Sequence, residues 1–169
     1  VMGKARRLEM EYFFGNNVYD KRPLQEAYQK TGKQPIPVRW VDVNKGDDEE
    51  HNYRSWLVAK DIRKKGEDSI FAPTPPLEVL RSILMMAATP LLWAPKWVCM
   101  EGPHRMQISL VDISRAYFHA RVDRDKLVYV HLPPEDPDYG KGLCGRLNVH
   151  MYGTRPAAEG WHHEYSGAM

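Results

Sequence analysis

The residues with the clearest chemical content lie at 110–120, LVDISRAYFHA. A single acid, Asp112, stands between Val111 and Ile113, and the aromatic pair Tyr117–Phe118 follows it. In an extended run, alternation turns Asp112 away from the face that Val111 and Ile113 share. Such a carboxylate is either a solvated strand end that caps the turn at Ser114, or a hard oxygen ligand held for use. Mg²⁺ suits the second role, because it takes one or two protein carboxylates and completes its shell with water and substrate phosphate. Tyr117 and Phe118 by themselves read as core aromatics, and Tyr152–Gly153 as a strand-to-helix turn. Arg54, Lys60 and Arg155 by themselves read as solvated surface charges.

Other groupings carry less. His150, His162 and His163 with Cys144 fit no common zinc spacing, and adjacent histidines on a helix diverge by about 100°. Ser114 lacks the flanking glycines of a nucleophile elbow. GDDEE (46–50) reads as a solvated turn without the calcium-loop pattern. Asp123 and Asp125 lie on a tight turn and read as surface acids.

The elements that must position these residues read as an α+β order. Mixed charge with Leu8, Phe13 and Phe14 predicts a helix at the start, with another near Leu24–Gln29. PIPVRWVDV (35–43) and YRSWLVAKDI (53–62) alternate about the acidic turn and predict an antiparallel hairpin. TPPLEVLRSILMMAATP (74–90) predicts a helix capped by Thr74, begun at Pro75 and stopped by Pro90, with Leu77, Leu80, Leu84 and Ala87/Ala88 on one face. Residues 90–105 read as an irregular insertion. Strands are expected at 105–113, 126–133 and 143–152, with SRAYFHA a short turn or helix. In the last strand Leu143, Leu147, Val149 and Met151 share the buried face, while Cys144, Arg146, Asn148 and His150 face outward. A final helix follows Thr154, its expected cap, with Trp161 and Tyr165 stacked one turn apart.

The chain has 169 residues, enough for one domain with a core, and its net charge of 24 − 22 = +2 makes no global case for a polyanion partner. Two cysteines, Cys99 and Cys144, read as reduced thiols of an intracellular protein, cytoplasmic or nuclear. No apolar run approaches the roughly 20 residues of a membrane span, so no membrane partner is expected. Both ends read as cuts from a longer polypeptide.

Several blocks together resemble one family. DISRAYF (112–118) resembles the first catalytic motif of reverse transcriptases, and MYGTRPAAEGW (151–161) resembles the Leu-Tyr-Gly-Leu-Lys-Gln-Ala-Pro-x-x-Trp stretch of copia-type LTR retrotransposon polymerases. YRSWLVAK (53–60) is similar to their fingers strand, IFAPTPPLEVLRSILMMAA (70–88) to their Phe-Ala-Pro helix, and VYVHLPPE (128–135) more loosely to a following strand. The blocks occur in family order over nearly the whole chain. The resemblance implies fingers and a connecting helix over 1–105 and a partial palm over 106–169, truncated before the Tyr-x-Asp-Asp hairpin. It implies an RNA-directed DNA polymerase fragment of a Pol polyprotein, working on template-primer and deoxynucleoside triphosphates with Mg²⁺ or Mn²⁺ in the complete enzyme. Asp112 matches the metal-binding carboxylate. Tyr117, beside Phe118, matches the ring that excludes a 2′-hydroxyl; Tyr152 and Gly153 match the motif against nucleotide and template. Arg155, Arg54 and Lys60 match or neighbour phosphate-contacting positions. Departures are Trp56 at a basic position, Arg115 where the family carries Asp or Thr, and Pro156-Ala157-Ala158 for Gln-Ala-Pro. These departures, with the missing hairpin, leave a second reading: a degenerate, non-catalytic copy that binds nucleic acid or protein.

Overall fold

The computed structural model describes residues 2–47, 49–62, 76–88 and 108–168. The chain divides into two compact units, Val1–Ala72 with Arg115–Met169, and Pro73–Ser114.

The first unit opens with helix α1 (Met2–Gly15), whose Met10 and Phe13 enter the core. Its end is set by Asn17, which adopts a left-handed φ of 48°. There Val18 N–H reaches the Phe13 carbonyl at 3.0 Å and Asn17 N–H the Phe14 carbonyl at 3.3 Å. This is the Schellman pattern, and the Val18–Phe13 apolar contact that accompanies it lies in the core. The chain then runs through β1 (Tyr19–Pro23) into α2 (Leu24–Thr31), which Gly32 ends in a left-handed conformation, φ 65°.

Strands β2 (Val38–Asn44) and β3 (Tyr53–Ala59) form the expected antiparallel hairpin, with Trp40 opposite Leu57. Asn44 ties its turn, the side-chain oxygen accepting Gly46 and Asn52 N–H at 3.0 and 2.9 Å. After the short 3₁₀ turn Ala116–His119 come β4 (Tyr129–His131) and β5 (Leu143–Leu147); α4 (Ala157–Ala168) closes the chain. Helix α3 (Leu77–Ala88) belongs to the second unit. The second sheet has the order β1-β5-β4, antiparallel throughout. A parallel bridge from Ile36 to Val130 runs from the stretch before β2 to β4. The core gathers Phe13, Val18, Leu57, Phe118, Val130, Leu147 and Met151. Each such side chain, fully buried, stabilises the fold by roughly 1.5–3 kcal/mol.

Helices with antiparallel sheets make this an α+β protein, as the pattern of elements predicted. Several details differ. β1 was not anticipated: its Tyr-Asp-Lys-Arg-Pro side chains show no apolar alternation. The strand expected at 126–133 shrinks to three residues, and that at 143–152 ends at Leu147. The face of β5 expected to be wet is partly covered, because α2 packs there and buries Cys144 with Ala27 and Tyr129. Cys144 is a free thiol. Thr154 is not a helix cap; its hydroxyl donates to the Met151 carbonyl at 2.8 Å, three residues ahead of α4. Trp161 and Tyr165 do pair, with ring centroids 6.0 Å apart.

In the second unit, α3 buries none of its residues, so the apolar stripe of Leu77, Leu80 and Leu84 is not core. Residues 108–113, expected as a strand, are irregular and exposed. Alternation marks which face a strand would bury, but a strand exists only through its ladder bonds, and among the described residues this run has none. Thr74, Pro75, Pro90, Cys99, the 90–105 insertion and residues 105–107 lie outside the described residues.

Candidate nucleotide-side site and carboxylate

Three stretches remote in sequence meet within the first unit. The 3₁₀ turn buries Phe118 and leaves Tyr117 half-buried. Tyr117 stands edge-on to Tyr152, with centroids 5.0 Å apart and planes at 75°. Phe118 is also edge-on to Tyr152, at 5.8 Å, and packs against Phe13 at 5.3 Å and Tyr12 at 5.6 Å. Such pairs add about 0.5–1.5 kcal/mol each beyond area burial, and the Tyr117 ring packs on one side against Tyr152. Burial pushes the Tyr152 phenol above its usual range, and the nearby Tyr117 and Glu9 add to the shift.

The turn that carries Tyr152 is fastened to the end of β3. Ala59 N–H donates to the Tyr152 carbonyl at 2.8 Å and Asp61 N–H to the Gly153 carbonyl at 3.2 Å. The Asp61 carboxylate returns the bond, accepting the Arg155 N–H at 2.9 Å. Gly153 has φ 80°, and a Cβ there would lie 2.0 Å from the Ala59 carbonyl oxygen. Glycine at this position therefore serves the close approach to β3 itself.

Arg115 also has a left-handed backbone, φ 53°. Its guanidinium lies 3.7 Å over the Tyr12 ring and donates to Glu9 Oε2 at 2.5 Å. The cation three residues beyond Asp112 thus finds its partner on α1. Glu9 is 2% exposed, and its other oxygen, Oε1, is buried with no hydrogen-bond partner among the described residues. Burial pushes its carboxyl up, opposed by the charge and hydrogen bond of Arg115.

Of the residues singled out from sequence, Tyr117, Phe118, Tyr152 and Gly153 are brought together, with the Arg155 backbone bound to the same turn. Lys60 lies between Ala59 and Asp61, both bound to that turn, and its exposed side chain borders a half-open cavity of about 580 Å³ with Lys33 and Gln34. Arg54 is exposed near the other end of β3, about 20 Å from Lys60 at the usual rise per strand residue. Asp112 belongs to the second unit, on the exposed irregular run 108–113. Among the described residues no three His, Cys, Asp or Glu side chains converge as metal ligands. An exposed carboxylate such as Asp112 fits one oxygen position of a Mg²⁺ shell, but it does not make a two-ion site.

Glu9, Tyr12 and Asp61, which hold the aromatic turn in place, were not singled out from sequence. A glutamate in a mixed-charge helix carries no local sign of burial; its one clue is helical spacing, since Glu9, Met10 and Phe13 share the inward side of α1.

No curated protein and no solved structure shows a significant match to the chain. The family model described as reverse transcriptase (RNA-dependent DNA polymerase) matches residues 25–168. That match spans the β2–β3 hairpin, the Asp112–Phe118 block and the Tyr152–Gly153 turn, and the chain belongs to the reverse transcriptase family.

Proposed function

We propose that the chain supplies the fingers, over 1–105, and the first portion of the palm, over 106–169, of a copia-type LTR retrotransposon reverse transcriptase carried in a Pol polyprotein. The observation that carries this reading is the convergence of three family-like blocks. The end of the fingers strand, the Tyr117 turn and the Tyr152–Gly153 turn are joined by hydrogen bonds and edge-on rings. The boundary at 105/106 is one of role rather than packing, since β1 pairs with β5 in a single sheet.

In this reading Asp112 is one metal-binding carboxylate, and a two-ion site needs further carboxylates beside it. Mg²⁺, when bound, supplies charge stabilisation at the attacking and leaving oxygens. Tyr117, backed by Tyr152, presents a fixed ring edge under the nucleotide sugar and rejects a 2′-hydroxyl by clash. Lys60 is better placed than Arg54 for the nucleotide's phosphates because its neighbours are bound to the same turn. Arg155 is a further phosphate contact, on a backbone that Asp61 fixes. Template-primer and deoxynucleoside triphosphates are the ligands.

The test is primer extension by the assembled polymerase containing this chain. Asp112→Asn is expected to abolish extension while template affinity, set by phosphate contacts elsewhere, stays within about tenfold. Tyr117→Ala is expected to extend with deoxynucleotides but to admit ribonucleotides. Extension retained in Asp112→Asn refutes the metal role, and unchanged sugar selection in Tyr117→Ala refutes the gate.

A further inference from the structure

We propose that the turn at 121–124 forms a binding site for a phosphate group, separate from the aromatic site and independent of the polymerase reading. The turn borders a half-open cavity of about 660 Å³. Arg121, Arg124 and Arg146 line it, against a single carboxylate among the lining residues, Asp123. Arg146 is already engaged, with Asp20 at 2.6 Å. Among the described residues, Arg121 and Arg124 have no ion-pair partner. Facing them is Asn17, whose side-chain amide makes no hydrogen bond among the described residues and is free to donate.

The backbone beneath these arginines is fixed. Arg121 bridges Val149, Val122 N–H reaches the Asn148 carbonyl at 3.0 Å, and Lys126 N–H closes the turn on the Asp123 carbonyl at 3.1 Å. Leu127 and Val149 give the cavity apolar walls. Even with Asp123 present the lining keeps a net positive charge, and such a charge above low-dielectric walls focuses the field on an anion. Guanidinium groups match phosphate oxygens with a planar fork of donors.

A second cavity, of about 490 Å³, lies on the other side of the same turn and shares Arg121 and Arg124. There Arg121, Arg124 and Lys126 face Asp123, Glu159 and Glu164, so its charge is balanced. The anion therefore belongs on the Asn17 side. A phosphodiester of a single strand and a free phosphate share the chemistry this site recognises, and the experiment separates them.

The chain is titrated with inorganic phosphate and, separately, with a short single-stranded oligonucleotide, following backbone amide shifts at Asn17 and 121–124 and the affinity at two salt concentrations. The variant is Arg121→Gln with Arg124→Gln; Arg124→Gln alone, at an exposed turn position, serves if the pair does not fold. Arg39→Gln, an exposed arginine on β2, controls for loss of net charge. Losing two phosphate contacts is expected to lower the salt slope of oligonucleotide binding by about 1.4, which corresponds to roughly a sevenfold difference between 50 and 200 mM salt. A loss of that size in the turn variant but not in Arg39→Gln supports a strand phosphate. Shifts with inorganic phosphate that the variant abolishes, with oligonucleotide binding unchanged, support a free-phosphate site. No shift at these residues with either probe, or an equal loss in the Arg39→Gln control, overturns the proposal.

Discussion

Replacing Arg115 by alanine removes the cation from a carboxylate that has no other side-chain partner among the described residues. Glu9 is 2% exposed and Oε1 is already unbonded, so Oε2 would be stranded as well. Breaking a buried ion pair in this way costs about 3–5 kcal/mol. The Arg115 side chain is 31% exposed, so water already reaches one side of the pair and the lower end or somewhat less applies, about 2–3 kcal/mol. Loss of the contact over Tyr12 adds about 0.5–1 kcal/mol. The carboxyl can escape by protonating, and this sets a ceiling on the electrostatic part. From the ordinary value of 4.5, neutralising it costs about 3.4 kcal/mol at pH 7 but only about 0.7 kcal/mol at pH 5.

The sign of the pH dependence follows. In the variant the folded Glu9 binds its proton more tightly than the unfolded chain does, so stability falls as pH rises from 4.5 through the raised folded value. Urea unfolding followed by tryptophan fluorescence should therefore show Arg115→Ala destabilised by about 2.5–4 kcal/mol at pH 7 and by less than about 2 kcal/mol at pH 5. Adding Glu9→Gln should recover at least about 1 kcal/mol at pH 7, the mark of a coupled pair. A loss below about 0.5 kcal/mol at pH 7, or an equal loss at both pH values, would refute the claim that Glu9 depends on this cation.

Three further outcomes are expected. Gly153→Ala should destabilise by at least about 2 kcal/mol in the same assay, because φ 80° and the Ala59 carbonyl 2.0 Å away both oppose a Cβ; hydrogen exchange should then rise first at Ala59 and Asp61. Tyr19→Phe should cost about 1–2 kcal/mol, since the phenol donates to Asp136 Oδ2 at 2.7 Å while Lys21 and the Asp138 N–H serve the other oxygen. The hydrogen bond from Arg6, then that from Ser55, holds the Asp42 carboxyl below its ordinary 3.8, so its contribution is present above that value and lost as pH falls through the lowered one; Arg6→Gln should flatten this acid limb in a pH-jump unfolding series.

What the sequence made legible is what local chemistry decides. The β2–β3 hairpin could be read because alternation, leading prolines and a polar turn all act within one short stretch. β1 could not, because its residues are spent on distant partners: Tyr19 and Lys21 on Asp136, Asp20 on Arg146 and Asn148. The same limit explains β5. Period-two reasoning separated Leu143 and Leu147 from Cys144 and Arg146, but the strand ends at Leu147, His150 is buried rather than wet, and it took α2 to make the Cys144 face part of a core. At 108–113 the alternation was present and the ladder was not. The candidate site divides along the same line. Tyr117, Tyr152 and Gly153 could be named from motif blocks, whereas the groups that hold them, Glu9 under Arg115 and Asp61 under the Arg155 turn, act across separations of about a hundred residues. α1 carries the sharpest consequence. It precedes the matched region 25–168, yet its Tyr12 and Phe13 back the Phe118 ring and its Glu9 fixes Arg115. A chain cut at the family boundary would therefore lose the support of its Tyr117–Phe118 turn.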